Sequence, residues 1–187
     1  DFSQPLPLPN LNYAEHWIAR VQACTKPTIA AVNGVAAGGG LGLALACDIV
    51  VAAEDAVFGT PEVDVGLWPY MITVPMLRSM PPKVVLELQM TGRRVDAAEA
   101  LRLGFVSRVV PVDALDATVT EIAAGLAAKS PLVLRLGRDA FHEVLELDAD
   151  PALDLLHEAL SRHVETEDAR EGLAAFAEKR PPRWTGR

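Results

Sequence analysis

The sequence predicts an α/β fold, a parallel strand–helix–strand core followed by a helical C-terminal region. Two short apolar runs, "TIAAVN" and "DIVVAAE", flank a small-residue segment from Gly39 to Cys47, and the order strand, helix, strand favours a parallel crossover unit. Beyond residue 113 the apolar spacing turns helical and is punctuated by N-cap residues followed by Pro. A chain of 187 residues that is 50% hydrophobic and 22% charged can bury one substantial core.

The elements follow in chain order. "DFSQPLPLPNLNY" lacks a starting Met and is Pro-rich, which reads as an extended loop and suggests a fragment or a processed product. Leu11, Ala14, Trp17, Ile18 and Val21 recur at helical spacing, and Lys26-Pro27 closes that helix. "TIAAVN" is a buried strand ending at Gly34, Gly39 to Cys47 a tightly packed helix, "DIVVAAE" a second strand, and "AVFGTPE" a short strand entering a loop. Asp96 with Glu99 resembles a capping box, and Gly104 ends the helix that begins there. "GFVSRVV" is extended, and three or four helices follow between Asp113 and Lys179, with Ser130-Pro131 and Asp150-Pro151 each read as an N-cap and first helical residue. About three strands are visible, few for a parallel sheet buried on both faces, which suggests that N-terminal strands are missing. Residues 1–110 are read as a partial α/β core and 111–187 as a helical region.

Composition excludes several function classes. With 17 basic against 25 acidic residues the net charge is −8, and a nucleic-acid partner is not expected. Cys24 and Cys47 form no CxxC pair, so neither zinc knuckle nor disulfide framework is signalled, and a reducing cytoplasmic setting fits. The longest apolar run is too short and Gly-rich for a membrane span, and no secretory signal is visible. His16, His142, His157 and His163 lack metal-ligand spacing and are read as surface or packing residues.

The stretch "AVNGVAAGGGLGLALACDIV" concentrates Gly38, Gly39, Gly40 and Gly42 at the start of a helix. Each helical Gly costs roughly 0.5–1 kcal/mol relative to Ala, so bare backbone must serve a purpose. A strand-to-helix turn exposes unpaired N–H groups and the positive end of the helix dipole, which suits an anionic oxygen. Neither a GxGxxG nor a GK[ST] pattern fits, which leaves a developing oxyanion or close helix–sheet packing. Glu62 follows Pro61 at the C-terminal end of a strand, where open α/β sheets hold ligands, amid Phe58, Val63, Val65, Leu67 and Trp68. A carboxylate in such apolar surroundings suits proton shuttling. Asp64 is read as structural or solvated.

The segment "KPTIAAVNGVAAGGGLGLALACDIVVAAEDAVFGTPEVDVGL", with "MTGRRVDAAEALRLGFVSRVV" and "DAREGLAAFAEKRPPRW" after it, resembles the enoyl-CoA hydratase/isomerase, or crotonase, family. The resemblance implies a crotonase-like ββα-type core lacking its N-terminal part, with a C-terminal helical region for trimerisation and CoA contact. It implies that the Gly39 N–H is an oxyanion donor and Glu62 a general acid/base. It also implies that Gly38, Gly40, Leu67, Trp68 and Tyr70 line the substrate site, while Phe176 and Lys179 help hold the CoA adenine and phosphates across a subunit boundary. The partner is then an acyl-CoA thioester, with coenzyme A as part of the substrate, no other cofactor and no metal, in a homotrimer or dimer of trimers.

Two kinds of departure, within the site and upstream of it, shape the expected chemistry. The second glutamate of family hydratases is replaced by Gly42, and the second acid of the dienoyl-CoA isomerase subgroup by Tyr70. "WPYMITVPML" replaces the family's Gly-rich helix start, which reshapes the acyl pocket. The first oxyanion donor lies upstream of Asp1 in the family pattern. One acid/base points to an isomerase or an atypical hydratase; the alternative is a degraded acyl-CoA-binding or oligomer-forming paralogue. Leu173, Phe176 and the Pro181–Trp184 tail are expected to pack against another subunit or the rest of a longer chain.

Overall fold

A computed structural model describes residues 13–187, with side chains from residue 17 onward. In chain order it has α1 (Tyr13–Gln22), β1 (Ile29–Val32), β2 (Val35–Ala37), α2 (Gly39–Ala46), β3 (Ile49–Ala53) and β4 (Val57–Gly59). A 3-10 turn (Pro61–Val65) leads to α3 (Thr73–Ser79), α4 (Pro82–Thr91), β5 (Arg94–Asp96), α5 (Ala97–Leu103) and β6 (Arg108–Val110). Four helices complete the chain: α6 (Leu115–Ala127), α7 (Pro131–Val144), α8 (Ala149–His163) and α9 (Glu167–Glu178). The proposed helix start at Leu11 and the side chain of His16 lie outside the described residues.

The chain forms two compact units, one taking the chain up to Cys24 with Thr28–Glu121, the other Thr25–Pro27 with Ile122–Arg187. In the first, the described strands form two three-stranded sheets, ordered β1-β3-β6 and β2-β4-β5. All pairings are parallel except β4 with β5. Each of two successive chain passes gives one strand to each sheet, β1 then β2 and β3 then β4, with α2 between the passes. Asp48 fixes the register of the first pair: its carboxylate accepts from the Thr28 N–H at 2.7 Å and hydroxyl at 2.8 Å, while the Asp48 N–H donates to the same hydroxyl at 3.0 Å.

The sheet count corrects the sequence reading: six strands among the described residues, not three. β2 and β5 have three residues each, too few to show an alternation, and both exist because β4 lies between them and supplies hydrogen bonds on both sides. The core of this unit is apolar, with Leu41, Val51, Phe58, Met76, Leu88 and Val95 buried and Phe58 edge-on to Phe105 at 5.3 Å.

Local punctuation was mostly as the residues indicate. Asp96 accepts from the Glu99 N–H at 2.7 Å, Ser130 caps α7 through the Val133 N–H, and Gly104 closes α5 at φ 87°. The start of α8 differs, because Asp148 rather than Asp150 is the N-cap. Pro151 then falls in the first turn, where its missing N–H removes no intrahelical bond.

In the second unit α7 packs on α8 and α9, and the tail folds back within the unit. Trp184 lies over Gly172, where an added Cβ would stand 3.3 Å from the ring, and the indole N–H donates to the Ala128 carbonyl at 2.9 Å. Trp184 therefore already packs within its own unit, while staying half-exposed. Leu173 and Phe176 do remain open, at 70% and 86% exposure, so Phe176 is no core aromatic. No single helix among the described residues is long and apolar enough to cross a membrane.

Candidate active site

Because β2 and β4 are parallel neighbours with Ala37 beside Gly59, the chain leaves both strands on the same side of the sheet. The triple-glycine turn leaves one strand and the Glu62 loop leaves the other, joined by the Gly38 N–H donating to the Gly59 carbonyl at 3.0 Å. Ligands of parallel α/β sheets bind at this edge.

The glycines divide into distinct roles. Gly38 sits at φ 53°, ψ −124°, as the N-cap of α2, a backbone state that side-chain-bearing residues rarely adopt. A Cβ there would lie 2.6 Å from Glu62 Oε1 and 3.3 Å from its carboxyl carbon. The missing side chain makes room for the carboxylate. Since the Gly38 N–H is already committed to Gly59, Gly38 offers a ligand no donor. Gly39 and Gly40 are exposed, with nothing within 4 Å of an added Cβ. They begin the first turn of α2, whose first intrahelical acceptor, the Gly38 carbonyl, takes the Gly42 N–H at 3.1 Å. Their N–H groups thus stand at the helix start without an intrahelical partner. Gly42 answers to close packing instead: an added Cβ would overlap Ile72 Cγ2 and lie 3.0 Å from Ile72 Cβ and 3.6 Å from Ile18 Cδ1.

Glu62 occupies the first half of the 3-10 turn, and its Oε2 is buried with no hydrogen-bond partner. The turn closes through Gly66 at φ 76° and the Leu67 N–H donating to the Glu62 carbonyl at 2.9 Å. The same loop then presents Leu67 and Tyr70 exposed and Trp68 half-buried. Asp64 is exposed and lies against the end of α4, with its carboxylate oxygens 3.2 and 3.3 Å from where a Gly92 Cβ would be. Burial pushes the Cys47 thiol up, which disfavours a thiolate there. No group of three or more His, Cys, Asp or Glu among the described residues could hold a metal ion.

Phe176 and Lys179 lie in the second unit. Lys179 takes the left-handed conformation at φ 54° that ends α9, and its side chain is exposed. The next residue turns back: the Arg180 guanidinium binds Glu171 at 2.6 and 2.9 Å, and these bonds, with one from the Arg183 N–H, hold the Glu171 carboxyl down to about 2. The sequence reading missed three buried residues beside the Glu62 loop: Thr60, Ile72 and Gln89. Of these, Gln89 left a signal, since it shares a helical face with the apolar Val85 one turn earlier.

The enoyl-CoA hydratase/isomerase family model matches residues 7–187. Carnitinyl-CoA dehydratase of Citrobacter koseri is 42% identical over 169 residues, a span covering 87% of this chain and 64% of that protein. The same protein from Salmonella typhi is 41% identical over 169 residues. The chain therefore spans about 64% of the length of these curated relatives. Among solved structures, an enoyl-CoA hydratase from Bacillus anthracis matches with a TM-score of 0.92 at 34% identity, over 99% of this chain and 73% of that one. Human enoyl coenzyme A hydratase domain-containing protein 3 matches at 0.88 and 36% identity, over 91% and 68%. The paired ββα passes, the glycine turn beside a loop carboxylate, and a match running almost to both ends of the chain lead to one conclusion: this chain belongs to the enoyl-CoA hydratase/isomerase family and has the crotonase-type α/β fold.

Proposed function

We propose that the chain serves an enzyme acting on acyl-CoA thioesters through an enolate, with Glu62 as the single acid/base and the Gly39 N–H as an oxyanion donor. One observation carries this reading: Glu62 Oε2 is buried without a partner, and the other carboxylate oxygen packs over Gly38, immediately before the exposed helix start at Gly39 and Gly40. A base and an N–H donor from neighbouring strand ends can act on the two ends of one α-proton/thioester unit. The donor is worth about 3 kcal/mol of transition-state stabilisation, and the base about 10²–10⁴-fold in rate. Leu67, Trp68 and Tyr70 are the proposed acyl-side contacts and Phe176 and Lys179 the proposed CoA contacts. A homotrimer or dimer of trimers is the proposed assembly, and no cofactor is proposed beyond the CoA of the substrate.

The proposed reaction is double-bond migration. Glu62 takes a proton from C2 of a 3-enoyl thioester, the electron pair passes into a dienolate ending on the thioester oxygen, and the same proton returns at C4 to give the 2-enoyl product. One carboxylate suffices. Adding water to a 2-enoyl thioester asks for a second activating group, and Gly42, buried under Ile72, supports none. The relatives named carnitinyl-CoA dehydratase favour a second reading, elimination of water, which meets the same shortage of a second acid.

The purified protein is to be assayed with 3-enoyl-CoA and 2-enoyl-CoA, alongside Glu62→Gln. Isomerisation is expected to exceed hydration, and Glu62→Gln to abolish it while thioester binding by calorimetry stays nearly intact. Hydration well above isomerisation would refute the single-carboxylate mechanism. Thioester binding without turnover of either substrate would establish the binding paralogue instead.

A further inference from the structure

We infer that the last turn of α4 holds the Glu62 loop in place, with Thr60 and Gln89 as its positioning residues. The inference rests on the reading of Glu62 as the acid/base. Glu62 Oε2 accepts no hydrogen bond, so nothing of that kind aims the carboxylate, and its placement depends on the backbone that carries it. That backbone is a loop from β4 to α3 with a single 3-10 turn of its own. A loop holds catalytic geometry only where the surrounding structure fixes it.

Three anchors on one helix end fix this loop at its start, middle and finish. Thr60, 0% exposed, donates its hydroxyl to the Leu88 carbonyl at 3.0 Å; the same carbonyl takes the Gly92 N–H at 3.0 Å, so both of its lone pairs are used. Gly92, at φ 63°, lies against the middle of the loop, where its Cβ would stand 3.0 Å from Val63 Cγ1. Gln89, 2% exposed, donates through Nε2 to the Thr73 hydroxyl at 2.8 Å, and that hydroxyl donates to the Pro69 carbonyl at 3.0 Å. This relay ends between Trp68 and Tyr70. The helix end is fixed in turn, because the Arg93 guanidinium pairs with Glu87 at 2.8 and 3.1 Å and with both oxygens of Glu99 at 3.0 Å. A buried Thr of the loop bonded to α4, and a buried Gln of α4 bonded to Thr73 at the start of α3, each spend their bond on another element, a costly way to fill a core and an effective way to set a register.

The test uses Thr60→Val, which keeps the shape and loses the hydroxyl, Thr60→Ser, which keeps the hydroxyl, and Gln89→Leu. Misplacement of a catalytic group by about 1 Å can cost about 10²-fold in rate. For Thr60→Val and Gln89→Leu we expect kcat for isomerisation to fall at least about tenfold while KM and the thioester Kd stay within about twofold. Thr60→Ser is expected to recover most of kcat. Val106→Ala, a buried substitution in the same unit away from the loop, serves as the stability control and should leave kcat unchanged. If Thr60→Val does not fold, Gln89→Leu carries the same reading through the other end of the loop. An unchanged kcat in both variants with Glu62→Gln inactive would overturn the inference alone. The same kcat loss in an equally destabilised Val106→Ala would also overturn it, and an active Glu62→Gln would overturn the acid/base reading and the inference together.

Discussion

Gly42 decides whether this helix start is bare for packing or for chemistry, and its replacement gives a measurable answer. An Ala at this position drives a methyl carbon into Ile72 Cγ2 and sets it 3.0 Å from Ile72 Cβ. Carbon atoms rest about 3.5–4.0 Å apart, so even the Ile72 Cβ must retreat by about 0.5–1 Å and its Cγ2 by more. The side chain has little room, being 3% exposed at the start of α3 within the apolar core. Overpacking of this kind costs about 1–3 kcal/mol, and replacing a helical Gly with Ala returns about 0.5–1 kcal/mol. The difference spans about 0–2.5 kcal/mol, and because the added carbon overlaps Ile72 Cγ2 outright the expected net loss for Gly42→Ala lies in the upper half of that range. Gly40→Ala, a substitution with no neighbour within 4 Å, lacks the steric term and should gain up to about 1 kcal/mol. Ile72→Ala alone opens a cavity at about 2–5 kcal/mol, but in combination with Gly42→Ala part of that space is refilled. The double variant should therefore be more stable than the sum of its parts by about 1 kcal/mol or more. Urea denaturation followed by far-UV circular dichroism measures all four. A Gly42→Ala protein as stable as the parent, or strict additivity with Ile72→Ala, would refute the packing. The same clash means that Gly42→Glu should fail to install hydration unless Ile72 is shortened with it.

Two further outcomes follow from other contacts. Gly38→Ala should cost about 1–3 kcal/mol for its backbone state and, by driving a methyl into the Glu62 carboxylate, reduce isomerisation toward the Glu62→Gln level; a Gly38→Ala protein with parental kcat would contradict the interlock. Burial alone would raise the Asp168 carboxyl, but bonds from the Ser130 hydroxyl at 2.5 Å, the Thr185 N–H at 2.7 Å and hydroxyl at 3.0 Å, and the Gly186 N–H at 3.1 Å outweigh it and hold it below its ordinary value. A folded value below the unfolded one stabilises the protein fully above the unfolded value, about 4, and the benefit is lost as pH falls through the folded value. The Tm advantage of the parent over Asp168→Asn should accordingly be largest near neutrality and shrink below about pH 4, whereas a constant difference down to about pH 3 would exclude the linkage.

The sequence by itself determined what depends on near neighbours. The caps at Asp96 and Ser130, the Gly104 stop, the buried helix after the glycines and the position of Glu62 just past a strand end were all legible, because each is set by side chains within a few residues of the backbone they affect. Phe176 and Lys179 could be named from the tail motif, but not their exposure. Only the tertiary structure divided the four glycines, since Gly38 is defined by Glu62 and Gly42 by Ile72, partners that reach them only after the chain has folded. It alone produced β2 and β5, whose hydrogen bonds come from β4, and it alone brought Trp184 back onto Gly172 and Ala128. The buried Thr60 and Gln89 belong with these: a polar residue in a sequence is ordinary, and it becomes informative when packing removes water and leaves one acceptor within reach.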